Sequence, residues 1–163
     1  ESGISDKTTD SSSSRILGYF LTWMQEHTSE IFIAATANRI DLLPAELLRR
    51  GRFDQIFFID LPTRKEREEI FKIHLSKRGN DLGDFNIPQL AQITKNWSGS
   101  EIEQVIISGM YEATAAGRKL KEDDLFVIFG SSVPLATTME EQIKKVRSWA
   151  HNRAARASSD KEY

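Results

Sequence analysis

Residues 31–35, IFIAA, form a short uninterrupted apolar run rich in branched side chains. A run of that length without alternation reads as a strand covered on both faces, and such strands belong to parallel sheets. An α/β class is the expectation. A short helical turn opened by Pro44 (PAELL) leads to a second strand-like segment, residues 55–61 (QIFFIDL), which Pro62 stops. Between turn and strand lies RRGRFD, residues 49–54, with three arginines in four positions. A guanidinium stays protonated and presents a planar fork of donors that fits phosphate oxygens, so such a cluster beside a sheet points to anion recognition. The other reading is a solvated loop with salt bridges to its neighbours.

After Pro62 the pattern turns helical. Thr63 and Glu66 form a capping box that opens a helix through Ile70, Phe71, His74 and Leu75, closed by Arg78 and Gly79. Ser98 and Glu101 form a second box. The helix behind it places Ile102, Val105, Ile106, Gly109, Met110 and Ala113 on one stripe. Shorter helices are expected over residues 87–94 and 123–129, and a last one over 139–155 with Met139, Ile143, Val146 and Ala150 inward. Before the first strand, residues 15–26 carry Ile16, Leu17, Phe20, Leu21 and Met24 at helical spacing behind a serine N-cap. Residues 1–14 read as a polar mobile loop and 156–163 as a frayed end.

Composition removes several classes of chemistry. The 163 residues, 39% hydrophobic and 28% charged, suit one domain or two small ones. A net charge of -2 gives no global basic field for nucleic acid. No cysteine is present, and His27, His74 and His151 lack ligand spacing, so no metal site is expected in the chain. No apolar run reaches the ~18 residues of a membrane helix, and the compartment expected is cytosolic, stromal or an equivalent reducing one. The chain opens on Glu1 rather than Met, as a piece of a longer protein would.

Taken together, IFIAATANRIDLLPAELLRRGRFDQIFFIDLP, the following KIH and the later WSGSEIE resemble the second half of an AAA ATPase module. The chain is especially similar to AAA proteins of cyanobacteria and some chloroplast genomes, in which a segment like FLTWMQE (residues 20–26) precedes the same region. The likeness runs over residues 10–155. It implies a partial P-loop NTPase-type parallel sheet, the C-terminal strands of the AAA core in residues 1–62, followed by an all-α helical lid in 63–163.

By that resemblance, Asn38 matches the sensor that orients the water attacking the γ-phosphate; the alternative is an Asn that satisfies turn backbone. Arg49 and Arg52 match the arginine fingers that reach a neighbouring subunit's nucleotide and neutralise charge on the transferring phosphoryl group. Arg50 stands where many relatives carry proline and is left out of the site. His74 matches a histidine set against base and ribose, with packing as the alternative. Gly99 and Ser100 match the second sensor segment, often a Gly-Ala pair, where small residues let backbone approach the nucleotide. Ser100 replaces the common Ala. Residues 11–15 fall near the second pore loop, or are a simple linker.

An ATPase of this kind also needs a GxxxxGK[ST] loop and an acidic strand end for Mg²⁺, and neither occurs in the chain. ATP and Mg²⁺ are the implied cofactors, with the Mg²⁺ ligands upstream, and the chain alone is not expected to hydrolyse ATP. Arginines acting on a neighbour require a head-to-tail interface, so a homo-oligomeric ring, a hexamer, is implied, remodelling a protein or other macromolecular substrate. Two other classes remain: a non-catalytic AAA-like interaction module, and a nucleic-acid-binding domain using Lys144, Lys145, Arg147, Arg153 and Arg156. The second is disfavoured because Glu140 and Glu141 share that helix and no aromatic stacking pattern accompanies the basic residues.

Overall fold

The computed structural model describes residues 5–28, 30–40, 43–49 and 51–158, with side chains from residue 15 onward. It divides into two compact units, the first running to Ile56 and the second starting at Phe57.

The first unit opens on helix α1, Ser5–Glu26. The part of the serine-rich segment that is described, expected as loop, is thus helical. Once a helix is nucleated each further residue adds a hydrogen bond at small cost, and serine opposes this only mildly. Phe20 and Trp23 stack at 6.2 Å on this helix, and His27 follows Trp23 at 4.7 Å. The run 31–35 forms no strand; its backbone is irregular, with Phe32 93% exposed. A strand of the doubly covered kind requires ladder partners, and none flanks this run among the described residues. The Pro44 turn does form: Leu47, Leu48 and Arg49 amides donate to the carbonyls three residues back at 3.0, 3.2 and 3.3 Å. Leu47 is the buried apolar residue of this unit among those described.

In the second unit, α2 (Arg64–Lys77) starts at the Thr63 capping box: Glu66 N–H donates to Thr63 Oγ1 and Thr63 N–H to Glu66 Oε2 at 2.8 Å. Arg78 caps its end, and Gly79 takes the left-handed φ of 74° that lets the chain turn away. Helix α3 (Ile87–Ile93) is capped by Asn86. Helix α4 (Gly99–Ala115) begins at the Ser98 box, and α5 (Glu122–Ser131) packs across it. Phe71, Leu75, Leu90, Ile102, Ile106 and Leu125 are fully buried between these helices. Phe129 meets Phe71 and Trp97 edge to face at 6.3 and 5.4 Å.

Arg67 lies inside this core, 2% exposed. Its Nε donates to Ala91 O at 3.0 Å and its NH1 to Pro62 O at 2.6 Å, so one guanidinium ties α2 to the end of α3 and to the segment before α2.

The C-terminal part differs from the single helix expected over 139–155. A short α6 (Leu135–Thr138) precedes α7 (Glu140–His151), which ends at Asn152. Of its expected inward residues, Ala150 is buried, Ile143 and Val146 are partly buried and Met139 is exposed. The chain beyond runs extended. Strand β2 (Ala155–Arg156) pairs in parallel with β1 (Phe57–Phe58), in the register Phe57 to Ala155. Ala157 N–H donates to Phe58 O at 3.0 Å. Arg147 on α7 grips the Asp60 carboxylate, Nε to Oδ1 and Oδ2 at 2.9 and 3.0 Å. The end expected to fray is therefore held, as far as it is described. The fold is α/β in class, with a small parallel sheet of two short strands and a predominantly helical second unit.

Candidate functional site

The sequence-selected residues fall into two groups, one per unit. In the first unit Asn38 sits on an exposed bend. Arg49 ends the Pro44 turn with an exposed side chain that has no hydrogen bond or ion pair among the described residues. Gly51 adopts φ 92°, a left-handed conformation that reverses the chain and brings Arg52 back over the turn. Arg52 NH1 donates to Glu46 O at 3.0 Å, capping the turn's carbonyl end. One arginine of the pair is thus committed to backbone while the other projects freely. Arg50 lies outside the described residues.

In the second unit His74, Gly99 and Ser100 come together along the α2–α4 seam. Gly99 opens α4 so close to α2 that a Cβ there would lie 3.4 Å from Ile70 Cδ1, one turn before His74. The first amides of an α-helix have no carbonyl of their own helix to bond. At α4, Ser98 Oγ takes Glu101 N–H at 3.3 Å and Ser98 O takes Ile102 N–H at 3.1 Å, which leaves the Gly99 and Ser100 amides. The Ser100 hydroxyl lies 3.1 Å from Ser98 Oγ. These groups, at the positive end of the helix dipole, suit an anionic or polar ligand atom.

Glu101 and Glu103 shape that helix start. Glu101 Oε2 accepts from Ser98 N–H at 2.8 Å and Ser98 Oγ at 2.6 Å, while Oε1 accepts from Leu135 N–H at 2.7 Å and anchors α6. Desolvation pushes the Glu101 carboxyl upward, but the hydrogen bonds from Ser98 and Leu135 together outweigh it and hold its pKa below the usual carboxylate value. Glu103 accepts from Arg78 NH2 at 2.6 Å, and that bond lowers its pKa, with the charges of Arg78 and Lys77, and of His74 when protonated, adding to the effect. His74 Nδ1 stands 3.1 Å from Arg78 NH1 and 3.3 Å from Glu103 Oε1. The His74 ring is therefore neither simply packed nor free; it is held by a charged pair spanning two helices.

Arg67, Arg78, Glu101 and Glu103 were not among the residues selected from sequence as functional. Arg67 and Arg78 did carry a signal, since each lies four residues from Phe71 or His74 and shares that helix face. The second partner of Glu101, Leu135, and the partners of Glu103 depend on helix packing and have no local signature. On α7, Lys144 pairs with Glu140 at 2.5 Å and Arg147 with Asp60, and Arg153, just beyond the helix, lies over Trp149 at 5.8 Å. Much of that helix's positive charge is thus engaged within the chain. Among the described residues no cluster of His, Asp or Glu could hold a metal ion, and no helix is long and apolar enough to cross a membrane.

Residues 2–61 match the family model described as ATPase family associated with various cellular activities (AAA). Over 159 residues the chain is 43% identical to the AAA domain-containing protein ycf46 of Pyropia yezoensis, a match covering 97% of this chain and 32% of that protein. The ycf46 protein of Trieres chinensis is 44% identical over 150 residues, 91% of this chain and 30% of its own length. A proteasome-activating nucleotidase of Saccharolobus solfataricus is 43% identical over 94 residues, 57% of this chain and 24% of that protein. The chain belongs to the AAA ATPase family. It spans about a third of the length of the ycf46 relatives.

Proposed function

We propose that the chain is the nucleotide-responding half of an AAA ATPase that couples ATP binding and hydrolysis to remodelling of a macromolecular substrate, a protein, within a homo-oligomeric ring. Arg49 carries this reading: in a family whose chemistry is phosphoryl transfer, its exposed guanidinium has no carboxylate to neutralise it among the described residues. Arg49 and Arg52 would act as fingers on the ATP of the adjacent subunit, Arg52 exchanging its bond to Glu46 O for a phosphate oxygen. Asn38 would position the attacking water. His74 would meet the base and ribose, and the Gly99 and Ser100 amides would contact the nucleotide at the head of α4.

ATP and Mg²⁺ are the cofactors of this activity in the full-length protein. No residue of this chain is assigned to Mg²⁺, whose ligands would be supplied upstream. Residues 1–62 would complete the AAA core, with 63–163 as the lid, in a bacterial cytosol or plastid stroma. The 163-residue chain alone would not hydrolyse ATP, because it contains no GxxxxGK[ST] loop.

The test is Arg49→Ala and Arg52→Ala in the full-length protein. Each should lower kcat by about a thousandfold or more, the range for arginine fingers, while ATP binding stays near that of the parent. Undiminished turnover in both variants would remove the trans-acting role of the two arginines.

A further inference from the structure

We propose that Arg78, with Glu103, is a positioning residue that fixes the tautomer of the neutral His74 ring, with its proton on Nε2, so that the lid offers a bound nucleoside a hydrogen-bond donor rather than a lone pair. The proposal rests on the reading of His74 as a nucleotide contact.

The lock follows from the chemistry of three groups. A guanidinium is always protonated and can only donate. Arg78 NH1 donates to His74 O at 3.1 Å and faces His74 Nδ1 at the same distance, while NH2 donates to Glu103 Oε1 at 2.6 Å. Its position is thus fixed by a backbone carbonyl of its own helix and by a carboxylate of α4, independently of the His74 proton. Its side chain is 18% exposed, so water competes weakly for these bonds. An NH1 held opposite Nδ1 needs a lone pair there, since a proton on Nδ1 would set donor against donor.

Glu103 supplies the one acceptor that could favour the opposite tautomer. Its Oε1 is 3.3 Å from Nδ1, farther than Arg78 NH1, and the same oxygen already takes the shorter bond from NH2. Its carboxyl, held ionised by Arg78, cannot itself donate to Nδ1. With Nδ1 accepting, the neutral imidazole carries its proton on Nε2, the ring nitrogen opposite the clamp. A donor at that position selects an acceptor on the ligand, such as a ring nitrogen bearing a lone pair or a ribose oxygen, and disfavours a purine that presents N–H there.

The chain itself allows a direct measurement. Long-range proton–nitrogen correlation spectra of ¹⁵N-labelled protein, above the pH at which imidazole is charged, should show His74 with one pyrrole-type nitrogen at Nε2 and one pyridine-type at Nδ1. Arg78→Met should collapse this to an averaged or Nδ1-protonated pattern, and Arg78→Lys, which restores a cationic donor, should recover it in part. An averaged or Nδ1-protonated His74 in the parent protein overturns the lock whatever the variants do. An unchanged pattern in Arg78→Met overturns the role of Arg78.

In the full-length ATPase, Arg78→Met should raise KM for ATP by about tenfold with little change in kcat, as expected when uniform binding is lost. A lock confirmed by the spectra together with ATP affinity unaffected by His74→Ala would overturn the nucleotide contact while leaving the clamp intact.

Discussion

At the residue scale the second unit depends on carboxylates that each serve two structural elements. Glu101 closes the capping box of α4 through one oxygen and holds the first amide of α6 through the other. Glu101→Ala removes both and should cost about 1–2 kcal/mol of stability, the range for a lost cap with a further charged hydrogen bond, read as a lower urea midpoint at unchanged slope. The same residues set a pH dependence. Glu66 is held below its ordinary pKa first by Ser158 and then by Thr63, Glu101 and Glu103 are lowered as described above, and Asp124 falls to about 2, chiefly through its bond from Arg118. A carboxylate with a depressed folded-state pKa contributes stability above its unfolded pKa and loses it as pH falls through the folded one. The thermal midpoint should therefore decline from about pH 5 downward, with the last part of the loss near pH 2 absent in Asp124→Asn. A midpoint flat across that interval would contradict these assignments. The boxes were legible from S/T-x-x-E spacing, which specifies two groups three residues apart. Leu135, the second partner of Glu101, lies 34 residues away and no local rule reaches it.

At the scale of elements, α4 and α5 meet where Gly109 allows it. A Cβ at Gly109 would stand 2.9 Å from Leu120 Cδ1 and 3.1 Å from Leu125 Cδ2. Leu125 is fully buried, so it has no empty space to move into. Gly109→Val should destabilise by about 2–3 kcal/mol through overpacking, even though removing a helical glycine is favourable by itself. Loss of cooperative unfolding in calorimetry would be the extreme form of the same outcome, and an unchanged midpoint would contradict it. This packing was foreshadowed, since Gly109 stands on the apolar stripe of α4 read from spacing alone. The strap formed by α7 and β2 was not. Its closing contacts, Arg147 to Asp60 and Ala155 beside Phe57, span nearly a hundred residues, and the sequence after Ala150 carries no strand pattern. Two-residue strands are too short for alternation to be visible.

At the scale of the whole molecule, the two units differ in what holds them. Every member of the buried apolar cluster lies between Phe71 and Leu125. In the first unit Leu47 is the buried apolar residue among those described, while Ile31, Phe32, Ile16 and Tyr19 stay exposed. The sequence of that unit is nevertheless the part that most resembles a buried sheet, and it is where the AAA match falls. An apolar strand pattern records the environment for which it was selected, and a parallel strand is completed only by neighbours distant in sequence. From α2 to α5 the helical unit satisfies its own backbone within each helix and buries its stripes locally, so that part of its architecture was legible. Stability should divide the same way. Residues 57–163 expressed alone should keep a single cooperative thermal transition, with a midpoint close to that of the full 163-residue chain. Residues 1–56 alone should show helix content from α1 but no cooperative transition, since too little apolar surface is buried to offset the entropy of ordering. Cooperative unfolding of 1–56 in isolation, or failure of 57–163 to fold, would show that the units depend on each other for stability.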